Sequence, residues 1–300
     1  MSDPGPHPPG DNEDPYAGIM AALLRWAQGD ENIRAIVQTG SASRSQGASD
    51  RFSDRDIELI CRDPGPLLTD DAWIHAIAPV WVALSLENDP DDFETRLVFY
   101  EGGRKVDFTI ADRSRLDAMI ATGDLNPLYD RGYRVLLDKD GLTSGLPAPT
   151  GRAPRAPLPT EEQFAATVTE FWFEAAHMPI YLTRGDLWVV KLRDGTMKAM
   201  LLRMLEWHAL VTRGPDTDIW HIGTKMKRWT DPQTWAKLHG VFGHFDAADS
   251  FRALEATMRL FTLLTHEVAD HEGFTVPDAV RHILAYVLSF ADAFRQADPT

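Results

Sequence analysis

Residues 33 to 61 contain the side chains that phosphate chemistry requires. Ile33-Arg34-Ala35-Ile36-Val37-Gln38-Thr39 is short, β-branched and apolar, and it ends at Gly40-Ser41. Further on, Asp54-Arg55-Asp56 opens a second apolar run through Ile57, Leu59 and Cys61. Side chains alternate along a strand, so Asp54 and Asp56 project to one side and Ile57, Leu59 and Cys61 to the other. Two carboxylates held that close repel unless a cation lies between them. Mg²⁺ prefers hard oxygen ligands, usually one or two carboxylates plus substrate phosphates. The Gly40-Ser41 backbone and hydroxyl suit a phosphate. Together these are the requirements of metal-dependent nucleotidyl transfer.

A third acid lies in Arg104-Lys105-Val106-Asp107-Phe108-Thr109-Ile110. Val106, Phe108 and Ile110 share the apolar face of this strand, and Asp107 and Thr109 the opposite one. If it lies beside the Asp54–Asp56 strand, Asp107 reaches the same site as a further ligand or as the base for an attacking hydroxyl.

This order of Gly-Ser, Asp-x-Asp and a single later Asp resembles the nucleotidyltransferase signature. Val106-Asp107-Phe108-Thr109-Ile110 and Met200-Leu201-Leu202-Arg203-Met204-Leu205-Glu206-Trp207 narrow the resemblance. The chain is similar to the aminoglycoside 6-adenylyltransferases, also called streptomycin adenylyltransferases, over roughly residues 17 to 295. That resemblance implies ATP with Mg²⁺ as donor, transfer of AMP to a hydroxyl of streptomycin or a related aminoglycoside, and release of pyrophosphate. It implies that Gly40 and Ser41 contact phosphate and that Asp54, Asp56 and Asp107 form the catalytic, metal-binding set. One departure is present. The family often has Arg directly after Gly-Ser, whereas here Ala42-Ser43 precede Arg44. The role of Arg44 at the triphosphate is left open.

The elements that must position these residues follow from pattern and composition. Residues 1–15 hold five prolines, two glycines and four acids, which predicts a disordered tail. Helical periodicity starts near Tyr16 with Ile19, Leu23, Leu24 and Trp26 as core positions. Residues 16–145 then alternate strands and short helices, predicting an α/β nucleotidyltransferase domain with a mixed sheet. Val80–Leu86 and Arg96–Tyr100 read as strands, and Glu101-Gly102-Gly103-Arg104 as a hairpin turn. Residues 146–160 contain five prolines and read as a linker. Residues 161–296 read as an all-helical substrate-binding domain. Thr160 and Gln163 form a capping box, Asp231-Pro232 opens a helix, and long helices cover Leu187–Val211, Ser250–His271 and Pro277–Gln296.

Composition bounds the function. The 300 residues carry a net charge of −15 and 44% hydrophobic side chains. That charge argues against nucleic-acid binding, which needs a basic surface, and suits a small cationic substrate steered into an acidic cleft. A single cysteine, Cys61, excludes an internal disulfide and any four-cysteine zinc site, which fits a reducing cytoplasm. No apolar run is long enough for a membrane span, and the acidic, proline-rich start does not read as a signal peptide. His266 and His271 stand five apart, not the four that shared zinc ligation on a helix needs. A monomer or homodimer is expected.

Further candidates complete the expected site. Lys191 and Arg203 are candidate nucleotide contacts. Arg203 lies in an apolar run where an unpaired charge is costly, so it is expected to have an acidic or phosphate partner. Glu87, Asp91, Asp92 and Glu94 cluster near a strand edge, and Glu170 and Glu174 share a helix face. Glu87, Asp92, Glu170 and Glu174 are candidate contacts for substrate ammonium or guanidinium groups. Glu58 reads as a structural acid. Two rival readings stand beside the aminoglycoside one: a nucleotidyltransferase acting on another small-molecule or protein hydroxyl, and a non-catalytic nucleotide-binding or antitoxin-like module.

Overall fold

The computed structural model describes residues 14–44, 49–86 and 93–295. It divides into two compact units, Met1–Arg152 and Ala153–Thr300, with the division inside the proline-rich stretch 146–160. Residues 1–13 of the expected tail, and the candidates Glu87, Asp91 and Asp92, lie outside the described residues.

The first unit runs α1 (Ala17–Gly29), β1 (Ile33–Thr39), β2 (Arg55–Cys61), α2 (Gly65–Thr69), α3 (Ala72–Ile77), β3 (Val80–Leu86), β4 (Thr95–Tyr100), β5 (Arg104–Asp112), α4 (Ser114–Thr122), α5 (Pro127–Asp130) and β6 (Arg134–Asp138). Its six strands form one sheet in the order β3-β4-β5-β2-β1-β6. β2 and β5 are parallel, and the other neighbours are antiparallel. The mixed sheet expected from the sequence is present. β2 lies near the centre and is buried along almost its whole length, which explains the apolar Ile57, Leu59 and Cys61 on one face and Ile60 on the other.

The two faces of the sheet are covered differently. Ile57, Leu59 and Cys61 of β2 and Val106, Phe108 and Ile110 of β5 pack on one face with α1, α2 and α3. Ala35, Val37, Ile60 and Ala111 pack on the other with Leu116 and Met119 of α4 and Tyr129 of α5. Asp56, Glu58, Asp107 and Thr109 alternate onto this second face. Burial there pushes the fate of Glu58 away from chemistry. It is 1% exposed. Arg115 donates to its two oxygens at 2.8 and 3.2 Å, and the Tyr129 hydroxyl at 2.8 Å. On the α1 face, burial pushes the Cys61 thiol up to about 12, so it is a core thiol at neutral pH.

The second unit is helical: α6 (Glu161–Arg184), α7 (Leu187–Arg213), α8 (Met226–Trp229), α9 (Pro232–Leu238), α10 (Ala247–Glu272), α11 (Ala279–Leu288) and α12 (Ala291–Arg295). The capping box at Thr160 and Gln163 and the Asp231 cap form as their sequences predict. Gly185 closes α6 with φ +75°, which lets the chain reverse into α7. α6, α7 and α10 supply the core, including a parallel stack of Phe171 on Phe261 with centroids 3.6 Å apart. The single terminal helix expected over 277–296 is two helices, because the chain turns at Ser289-Phe290, where the Ser289 hydroxyl donates to the Tyr286 carbonyl at 2.7 Å. No helix among the described residues is long and apolar enough to cross a membrane.

Glu58→Ala is expected to destabilise the full chain by about 3 kcal/mol, near the low end for breaking a buried ion pair because Arg115 keeps some access to water. Urea unfolding checks this, and an unchanged midpoint would contradict the structural role of Glu58.

Candidate active site

Long-range pairing assembles the site within the first unit. In the parallel β2–β5 pair, Asp56 stands directly beside Asp107. Asp54 precedes Asp56 by two residues, just before β2 begins. Each of Asp54, Asp56 and Asp107 offers a carboxylate oxygen, and these atoms all lie within 4.8 Å of one another. One cation can bridge such a set. The cover from α4 and α5 reaches Glu58 but leaves Asp54, Asp56 and Asp107 only half-buried.

The Gly-Ser turn abuts the same acids. β1 pairs with β2 so that Thr39 faces Asp56, and Gly40 follows with φ +68°. A side chain on Gly40 would overlap Asp56 Oδ2, so glycine is required here by backbone conformation and by close approach. Ser41–Ser43 forms one 3₁₀ turn. The Ser43 hydroxyl lies 2.8 Å from the Gly40 carbonyl and 2.6 Å from that of Gly132, tying the turn down. Ser43 therefore has a structural function. Arg44, next in the chain, packs against Gly132, and its charge acts on Asp56.

The electrostatics are those of crowded acids. Asp56 is pushed up to about 6, chiefly by burial and then by the Asp54 and Asp107 carboxylates. Asp107 is also raised by burial, which outweighs the lowering effect of Lys105. Lys105 Nζ donates to Asp107 Oδ2 at 2.6 Å and to Asp54 Oδ2 at 3.0 Å. Asp107 Oδ1 is buried with no hydrogen-bond partner among the described residues. The donor set is all hard carboxylate, one oxygen is unsatisfied, and the ammonium already present shows that the site attracts positive charge. These features fit a divalent cation such as Mg²⁺. The pattern reading of β5 passed over Lys105. Its position two residues before Asp107, on the same strand face, was the available signal.

The remaining candidates lie in the helical unit with separate partners. Lys191 Nζ donates to the Gly243 carbonyl at 2.8 Å. Further along α7, Lys198, which is not among those candidates, pairs with Asp194 at 2.5 Å and with the Thr257 hydroxyl at 3.0 Å. Glu174 accepts from Arg193 at 2.7 Å, while Glu170 is exposed. Arg203 is exposed rather than enclosed by its apolar neighbours. It contacts the Thr167 hydroxyl at 3.4 Å, and its charge acts on Glu206. Met197, Met200, Leu201, Met204 and Leu205 form the buried stripe of α7, and position 203 falls off it. Trp172 and Trp207 belong to the core, and Trp188 is exposed.

The sequence model of the family described as Streptomycin adenylyltransferase matches residues 16–290. The chain belongs to the streptomycin adenylyltransferase family. Among curated relatives, aminoglycoside 6-adenylyltransferase of Bacillus subtilis (strain 168) is 23% identical over 279 residues, covering 89% of this chain and 95% of that protein. The aminoglycoside 6-adenylyltransferase of Campylobacter jejuni is 24% identical over 280 residues, covering 90% and 93%. A crystal structure of an aminoglycoside 6-adenyltransferase from Bacillus subtilis aligns with a TM-score of 0.44 at 20% identity, covering 90% of this chain and 96% of that one. For this member of the streptomycin adenylyltransferase family, the acidic triad is the feature consistent with a nucleotidyltransferase metal site.

Gly40→Ala is expected to cost about 1–3 kcal/mol, since it forces a side chain into a left-handed conformation and against Asp56. Urea unfolding measures this, and a variant as stable as the parent chain would contradict the Gly40–Asp56 contact.

Proposed function

We propose that the protein is an aminoglycoside O-adenylyltransferase that moves AMP from ATP to a hydroxyl of streptomycin or a close relative. The observation that carries this reading is the convergence of Asp54, Asp56 and Asp107 within 4.8 Å in a chain of this family. The names of the Bacillus subtilis and Campylobacter jejuni relatives support an aminoglycoside acceptor. So does the net charge of −15, which attracts a polycation.

Each residue has a defined task. Asp54 and Asp56 would hold Mg²⁺, which when bound neutralises charge on the triphosphate and on departing pyrophosphate. The Gly40 turn and the Ser41 hydroxyl bind phosphate oxygens, and Arg44 adds positive charge on that side. Asp107 is the third carboxylate and takes the proton of the acceptor hydroxyl. The new bond forms between that hydroxyl oxygen and the α-phosphorus, and the bond from the α-phosphorus to pyrophosphate breaks. Burial raises the Asp107 carboxyl, which improves it as a base relative to an ordinary aspartate. In the helical unit, Lys191 and Arg203 serve as nucleotide contacts, and Glu170 and Glu174 as acceptors for substrate cations.

Pyrophosphate release should depend on ATP, Mg²⁺ and streptomycin together. Asp56→Asn and Asp107→Asn are each expected to lower turnover by about a hundred- to a thousandfold, the equivalent of several kcal/mol of transition-state stabilisation, with the fold retained. Unchanged turnover in Asp56→Asn sinks the assignment. ATP binding without pyrophosphate release on any aminoglycoside favours a different acceptor or a non-catalytic module.

A further inference from the structure

Lys105 lies within the acid cluster, not at its edge. It precedes Asp107 by two residues on β5, so both side chains leave the same face of the strand. Its ammonium reaches Asp107 on its own strand at 2.6 Å and Asp54 across the sheet at 3.0 Å. Its backbone is pinned as well, since Lys105 N donates to the Tyr16 hydroxyl at 3.1 Å. The placement is set by the fold and not by a wandering surface side chain.

We propose that the Lys105 ammonium is an internal counter-ion that stands in for the divalent cation, and that cation binding displaces it from Asp54 and Asp107. This rests on the metal-dependent reading of the site. The two oxygens that Lys105 engages belong to two of the three carboxylates that would bind the ion. An ammonium and a divalent ion sharing those carboxylates would repel strongly at that separation. One must leave, and Lys105 is built to do so. Its side chain is 30% exposed, and lysine carries a compact charge on a flexible four-carbon stem. Without a cation, the ammonium keeps three crowded acids from repelling one another. With one, the same ammonium is a competitor. Lys105 thereby sets two properties in opposite directions: it raises the stability of the cation-free protein and lowers its affinity for metal.

A lysine that instead holds the carboxylates in their metal-binding geometry predicts something else. Its removal would lower stability and let the acids spread, leaving metal affinity the same or weaker. The test is Mn²⁺ titration of the full chain without nucleotide, following the free Mn²⁺ signal by electron paramagnetic resonance. Lys105→Met is expected to bind Mn²⁺ about five- to tenfold more tightly than the parent protein, the loss of a partly buried pair of ion pairs. Its melting temperature without metal should fall, and saturating Mn²⁺ should raise it by more than in the parent. Lys105→Gln, a smaller and more polar change, should follow the same pattern if the methionine variant fails to fold. Mn²⁺ affinity equal to or weaker than that of the parent in a folded neutral variant overturns the exchange while leaving the metal site intact. Absence of Mn²⁺ binding in the parent and variants alike, or binding that survives Asp56→Asn, overturns the metal reading of the triad and the exchange with it.

Discussion

The structure depends on holding carboxylates closer together than they would choose to be. Parallel pairing of β2 with β5 sets Asp56 beside Asp107, and the short step back to Asp54 adds a third negative group within 4.8 Å. The strands cannot part to relieve this, because Ile57, Leu59, Val106 and Phe108 lock their other faces into the core. Repulsion is therefore managed locally. Gly40 has no side chain to crowd Asp56, Arg44 adds positive charge from the turn, and Lys105 bridges two of the acids.

The balance of forces in the cluster decides its chemistry. Asp107 has an ammonium at 2.6 Å, yet its carboxyl is raised, so burial outweighs a close ion pair. Asp56 is pushed up to about 6 by burial together with its two acidic neighbours. A fully neutralised group of acids would have little reason to take up another cation. This one remains short of positive charge and keeps an unsatisfied oxygen at Asp107. The pre-formed arrangement concentrates the demand for positive charge in a small volume, where one divalent ion can answer it.

Much of this was legible in the chain. Alternation in Asp54–Cys61 and in Lys105–Ile110 separated acids from core residues correctly, because each strand obeys a strictly local rule. The Gly-Ser turn was readable for the same reason. What stayed hidden was non-local. Only the β2–β5 register brings Asp56 to Asp107, and no pattern within either strand specifies a partner. Lys105 obeys the same alternation but resembles an ordinary solvent-facing lysine until the opposite strand is in place. Arg203 misled in the other direction. Its apolar neighbours suggested enclosure, but successive residues of a helix turn by about 100° each, which sets position 203 outside the buried stripe of α7. The terminal helix also hid its break, since a serine able to close a helix is equally able to continue one.

Asp56 and Glu58 are neighbours on one face of one strand, yet one is open to the site while the other is sealed under Arg115 and Tyr129. The border between them falls within a single step of the pleat. A screen that reads only a final phenotype would merge the two positions, because replacing Glu58 lowers the amount of folded protein while leaving the three clustered aspartates in place. Counting acids by intolerance alone would add Glu58 to a cluster it does not belong to.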